Sequence, residues 1–165
     1  MTKTLISASG AAVATCGVFI LMLFAVTNVQ AAGVGGLFKS LVGQTNADSL
    51  NIDETLVKMS QKMNRSMPQT VDGDTRLEKV SAQPSQQLSY HYTLINIRSN
   101  EIDTASFYRA MRPVLQKRVC AADDLKMFFR NQITVAYAYQ GKDGEDVGKL
   151  AFSPKDCGYP NRRGL

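Results

Sequence analysis

From residue 51 onward the chain predicts an α+β fold: a four-stranded antiparallel sheet of two hairpins packed against helices on one face, preceded by an N-terminal transmembrane or signal helix. Three observations lead there. Apolar residues recur at helical spacing in separate stretches, strict alternation marks strand-like stretches, and the strand-like stretches come in pairs joined by short turn-forming segments.

The leader is read from charge. No Asp, Glu, Lys or Arg occurs between Lys3 and Lys39, and residues 17–26 form a dense apolar block. A short amino end with one lysine stays inside, and the remainder of the chain is delivered across a membrane. Two fates are open for residues 1–31. As a signal peptide they would be cleaved after Ala31, where Val29-Gln30-Ala31 supplies small residues at the right offsets, and the product would be periplasmic or secreted. As a signal anchor they would cross the bacterial inner membrane once within residues 5–30, since about 20 uncharged residues suffice for one helix. Cys16, preceded by Val13-Ala14-Thr15, is a poor lipobox, because Thr15 stands where a smaller residue is expected and the strongest apolar block comes after the cysteine. Residues 32–50 read as a flexible linker. Gly33, Gly35 and Gly36 make its joint, and residues 37–42 either continue it or lie on a membrane surface with Lys39 at the headgroups.

Residues 51–160 carry the soluble domain. Ile52, Leu56, Met59 and Met63 form the stripe of an amphipathic helix, with Asn51 and Glu54 placed as N-cap and reciprocal partner, and Met67-Pro68 stops it. A turn at residues 71–74 leads to an alternating strand at 75–81. A second turn at 83–86 joins it to the clearest strand, 87–98, where Leu88, Tyr90, Tyr92 and Leu94 share one face and His91, Thr93, Ile95 and Ile97 the other. The period then changes. Phe107, Met111, Val114 and Leu115 mark a helix over 101–119, with acids at its start, Lys117 and Arg118 at its end, and a kink or short break expected at residues 111–112 ahead of Pro113. A short helix comes next, through Leu125, Phe128 and Phe129. Residues 133–139 alternate again, and a loop at 141–146 returns the chain as a strand over 147–152, completing a second hairpin. Residues 161–165 are a basic tail.

Cys120 and Cys157 form an even pair beyond a translocation signal, which points to a disulfide in an oxidising compartment; two buried thiols are the alternative. A bridge across this separation of 37 residues would stabilise the fold by about 3 to 4 kcal/mol.

Lys and Arg number 19 and Asp and Glu 14, giving +5, of which all but the charge of Lys3 lies after the leader. The basic residues alternate with acids, so a nucleic-acid footprint is not supported. His91 is the sole histidine and sits in a strand, no nucleophile motif accompanies it, and neither metal-ligand spacing nor a phosphate-binding glycine loop is present. The chain therefore implies no catalytic residues, no cofactor and no metal. Its most individual feature is the pair of Tyr-x-Tyr strands. Tyr90, Tyr92, Tyr137 and Tyr139 would form one aromatic ladder if the two strands neighbour each other, as core on the helix-covered face or as a binding surface on the open one. Arg109 and Arg112 join them as a candidate interaction surface.

Residues 64–68 (Asn-Arg-Ser-Met-Pro), 74–77 (Asp-Thr-Arg-Leu), Tyr90-His91-Tyr92, Tyr137-Ala138-Tyr139 and the two late cysteines resemble a scattered set of small bacterial envelope proteins with a leader. The resemblance spans roughly residues 52–157 and implies a periplasmic location and the Cys120–Cys157 bridge, with no activity attached.

The expected function is that of a non-enzymatic, membrane-anchored periplasmic domain that binds another envelope protein, an accessory of a larger envelope or secretion assembly, with a homo-oligomer left open. The alternative is a secreted or periplasmic enzyme, or an enzyme inhibitor, using a cleft where His91, Asp72, Asp74 and Arg76 converge. A third reading attaches the domain to anionic lipid or peptidoglycan through Arg109, Arg112, Lys117, Arg118 and the Arg162-Arg163 tail.

Overall fold

The computed structural model describes residues 34–42 and 51–160. The expected leader with Cys16 and its cleavage position, residues 32–33 and 43–50 of the expected linker, and the basic tail lie outside the described residues. Among the described residues no helix is long and apolar enough to cross a membrane. The elements are α1 (Val34–Val42), α2 (Ile52–Asn64), β1 (Gln69–Thr70), β2 (Thr75–Gln83), β3 (Gln87–Leu94), α3 (Thr104–Ala121), α4 (Asp123–Arg130), β4 (Thr134–Gly141) and β5 (Asp146–Phe152). Two 3-10 turns, Ser99–Glu101 and Pro154–Cys157, complete the order.

The strands form one sheet in the order β1-β2-β3-β4-β5. Both expected hairpins are present, β2 with β3 and β4 with β5, but the sheet is mixed and five-stranded instead of four-stranded and antiparallel: β3 and β4 run parallel, and β1 adds a short edge. The parallel pairing results from the connection between the hairpins. An 18-residue helix carries the chain about 27 Å back across the sheet face. The 8-residue α4 is too short to return it. The chain therefore enters β4 beside the beginning of β3, with Gln87 opposite Thr134.

Local chemistry explains most boundaries. Asn51 Oδ1 accepts the Glu54 amide at 3.2 Å and starts α2. Asp103 Oδ1 accepts the Ser106 amide at 2.8 Å and starts α3. Of the kink or short break expected at Met111–Arg112 ahead of Pro113, the break does not occur: α3 is continuous through it. Pro113 and Arg109, four residues earlier, are both exposed, so the carbonyl that loses its amide partner can turn to water. At the other end of the domain Asn64 reaches across to β2, where its side chain accepts the Val80 amide at 2.7 Å and donates to the Val80 carbonyl at 2.8 Å. This amide stands in for one residue of a neighbouring strand beyond the end of β1.

The core lies between the sheet and the helices on its one covered face. Leu56 and Met59 of α2, Phe128 and Phe129 of α4, and Leu88, Val135, Leu150 and Phe152 of the sheet are fully buried. The segment expected to be a flexible joint or a membrane-surface strip is instead helical over 34–42. Phe38 is 1 % exposed, with its ring 5.0 Å from that of Phe128. Gly35 permits this docking, because a Cβ there would lie 2.7 Å from the Asp124 carbonyl oxygen of α4. Glycine in this stretch serves close approach, not freedom.

Cys120, near the end of α3, is bonded to Cys157 in the last 3-10 turn, with Cα atoms 5.1 Å apart. Gln116 Nε2 donates to the Asp156 carbonyl at 2.8 Å, so the second half of α3 is fastened to the chain beyond β5.

If α1 belongs to the core, Phe38→Ala should lower stability in urea titration by about 3 kcal/mol, the ordinary cost of truncating a buried phenylalanine. A loss below about 0.5 kcal/mol would mean that α1 contributes nothing to the fold.

Candidate functional site

The helices do not cover the sheet evenly. α2 packs on β2 and α3 packs on β5, which leaves β3 and β4 between them facing a cleft of about 720 Å³. Its floor is the aromatic ladder. Tyr90 lies opposite Tyr137 and Tyr92 opposite Tyr139 in the parallel register. Their rings stack in a continuous zigzag: Tyr90–Tyr137 at 5.6 Å, Tyr137–Tyr92 at 6.2 Å and Tyr92–Tyr139 at 5.3 Å between centroids. The two readings of these tyrosines merge here. They lie on the helix-covered face, and they also line the cleft.

The walls are apolar. On one side stand Phe107, Met111 and Leu115 of α3; on the other, Met63, Met67 and Val71. Phe107 meets the edge of Tyr139 at 5.4 Å. The stripe of α3 that would be core in a closed sandwich is only half-buried, and Val119 is its one fully buried residue. Burial pushes the hydroxyls of all four tyrosines well above the usual tyrosine range. They remain protonated throughout the physiological range and can both donate and accept.

Carboxylates gather at one end, and one hydroxyl lies at the floor. Asp72 and Asp74, from the β1–β2 turn, and Glu101 and Asp103, from the connection between β3 and α3, line the same cleft. Asp74 Oδ1 accepts from Asn96 Nδ2 at 2.6 Å and its carbonyl accepts the Ile95 amide at 2.9 Å, which locks the two loops together. Beside them Thr75 is 5 % exposed, and its Oγ1 is buried without a hydrogen-bond partner. Because Thr75 pairs with Leu94, its side chain shares the face of Leu94 and the tyrosines.

The set proposed for an enzyme does not converge. Alternation along β3 puts His91 on the opposite face from Tyr90 and Tyr92, so it is excluded from the cleft that Asp72 and Asp74 line. His91 Nε2 is instead hydrogen-bonded to Ser81 Oγ at 2.8 Å. Arg76 is also on that polar face, 2.7 Å from Glu78 Oε1. Nor do the cations of α3 make one basic face. Arg112 lies over the Phe152 ring at 5.6 Å and 3.4 Å from Asp156, whereas Arg118 lines the cleft. Arg109 and Lys117 are exposed. Of the candidate interaction residues, the structure brings the four tyrosines together and leaves Arg109 and Arg112 outside the cleft.

No protein-family model matches the sequence, and no curated protein matches it significantly. Three solved structures do match in shape. A Pseudomonas aeruginosa protein predicted to be secreted superposes with a TM-score of 0.56 at 15 % identity, over 68 % of this chain and 98 % of that one. EpsS, the pilotin of the Vibrio vulnificus type 2 secretion system, gives 0.50 at 7 % identity, over 67 % and 94 %. The type II secretion system pilotin AspS of Vibrio cholerae gives 0.48 at 12 %, over 65 % and 93 %. The chain shares its fold with the first two.

The sequence singles out the tyrosines but not Thr75, whose position in a short alternating strand gives no signal, and it marks Phe107, Met111 and Leu115 only as the stripe of a helix. The paired Tyr-x-Tyr motif on one sheet face is the only signal that could have located the site.

Replacing Thr75 with valine removes a buried hydroxyl that has no partner, so thermal or urea unfolding should show a gain of about 1 kcal/mol; a loss of that size would mean that the hydroxyl is satisfied in solution. A second expectation concerns pH. Burial, with Lys79 and Lys149 nearby, holds the His91 imidazole below its ordinary value of 6.5. The unfolded chain therefore binds this proton more readily, and stability should fall as pH drops below about 6.5. His91→Gln should flatten that slope, and an unchanged slope would assign it to other groups.

Proposed function

We propose that this protein is a non-enzymatic, exported envelope protein whose tyrosine-floored cleft receives an apolar segment of a partner protein, in the service of a larger secretion or envelope assembly. The observation that carries the reading is the separation of α2 and α3, which leaves the ladder of Tyr90, Tyr137, Tyr92 and Tyr139 between them with apolar walls. A contiguous apolar surface of this kind marks an interaction site in a soluble domain, and tyrosine is favoured at such sites because it offers a large rigid face with few rotatable bonds.

The disulfide supports an oxidising compartment. The uncharged leader supports export, with cleavage after Ala31 as the fate we favour, so that the domain works in the periplasm or outside the cell. The shared fold with a secretion-system pilotin and with a protein predicted to be secreted supports the same setting. The resemblance to small envelope proteins agrees with it.

The test is to place bulk or charge in the cleft. Ala110→Phe and Met111→Arg, both on the α3 wall, should each reduce at least tenfold the partner recovered with the full chain after cross-linking in intact cells. Lys149→Glu, on the exposed polar side of β5, should leave recovery unchanged, with circular dichroism confirming that all three fold. Recovery that survives both cleft variants and is lost with Lys149→Glu would move the interface to the open face.

A further inference from the structure

We infer that the segment taken by the cleft carries a Lys or Arg side chain at one end of its apolar stretch, and that this end lies at the mouth formed by the β1–β2 turn and the β3–α3 connection. The inference rests on the reading that the cleft is a docking site and names the chemistry of its occupant. Two independent observations meet at that mouth. Four carboxylates, Asp72, Asp74, Glu101 and Asp103, line it. Thr75, beside Asp74 in the chain and also lining the cleft, carries a buried hydroxyl that has no hydrogen-bond partner.

The carboxylates are held in place by neutral donors. Asp72 Oδ1 accepts the Asp74 amide at 2.9 Å, Asp74 Oδ1 accepts from Asn96, Glu101 Oε2 accepts the Arg98 amide at 2.6 Å, and Asp103 Oδ1 accepts the Ser106 amide. Neutral donors orient a carboxylate without cancelling its charge. The Ser106 bonds, with Arg109 a weaker contributor, hold the Asp103 carboxyl below the usual carboxylate range, so that it stays ionised. The mouth is therefore a fixed concentration of negative charge at the edge of an apolar cleft, and it is complementary to a cation.

The same charge argues against a fatty acid or an anionic phospholipid whose acidic group lies at this mouth. An acyl chain would suit the walls, but its carboxylate or phosphate would be repelled at this end. A peptide segment meets every condition. Its apolar side chains lie on the tyrosines, its cation meets the acids, and a backbone amide or carbonyl reaches Thr75 Oγ1.

The probes are three fluorescent amphipathic peptides with the same Leu and Gln pattern that end in Lys-Lys, Gln-Gln or Glu-Glu, measured by anisotropy against the full chain, with phosphatidylglycerol vesicles as a fourth arm. The Lys-Lys peptide should bind about tenfold more tightly than the Gln-Gln peptide at low salt, and the Glu-Glu peptide more weakly than either. High salt should shrink the difference. Asp72→Asn/Asp103→Asn, which keeps a good N-cap on α3 and removes two of the four charges, should shrink the ratio of Lys-Lys to Gln-Gln affinity severalfold. Thr75→Val should weaken all three peptides. Equal affinity for the three peptides overturns the charge preference and leaves the docking reading standing. Absence of binding by any of them overturns both, and tighter binding to the vesicles than to the Lys-Lys peptide assigns the cleft to lipid.

Discussion

The parallel pairing of β3 with β4 is the constraint on which the rest of the molecule depends. Once the two hairpins are joined by a helix that crosses the sheet a single time, the two Tyr-x-Tyr motifs are brought side by side in register, Tyr90 with Tyr137 and Tyr92 with Tyr139. An antiparallel arrangement would reverse one strand against the other and place the same residues in a different order. The crossing also decides where α3 can lie. It comes down over β5, where Tyr108 Oη accepts the Lys149 amide at 2.9 Å and Gly148 leaves room for that ring. The central strands are then bordered by α2 on one side and α3 on the other.

Two fastenings keep this geometry from closing into an ordinary sandwich core. At its far end α3 is tied by the Cys120–Cys157 bridge and by Gln116 to the chain after β5, and at the mouth the Asp74–Asn96 contact binds the two loops to each other. Half-buried Phe107, Met111 and Leu115 are the visible result. The tyrosines themselves are largely buried, and the apolar lining of the cleft is shared between them and this half-buried wall.

Much of the local structure was legible in the chain. Period-two alternation places Leu88, Tyr90, Tyr92 and Leu94 on one face, and helical spacing places Ile52, Leu56, Met59 and Met63 on one stripe; both patterns act within a few residues, where side-chain direction is set by the backbone. What was not legible involved distance along the chain. Alternation looks the same whether a neighbour runs parallel or antiparallel, so the mixed sheet left no mark. Gln69 and Thr70 make a strand too short to show a pattern. Gly33, Gly35 and Gly36 read as a loose joint, although Gly35 is where α1 touches the backbone of α4. The cleft could not be read either, because it exists only as a gap between two helices whose spacing no local motif encodes. Thr75 is the sharpest case, since its hydroxyl is unusual only through what the fold fails to place beside it.

Asn64 has a consequence for association between copies of the chain. A strand at the border of a sheet offers a row of unpaired amides and carbonyls on which a second molecule can template itself. By answering both backbone groups of Val80, the Asn64 side chain interrupts that row just past the short β1. Runaway polymerisation along this border is thereby denied its landing place by a single amide on a helix.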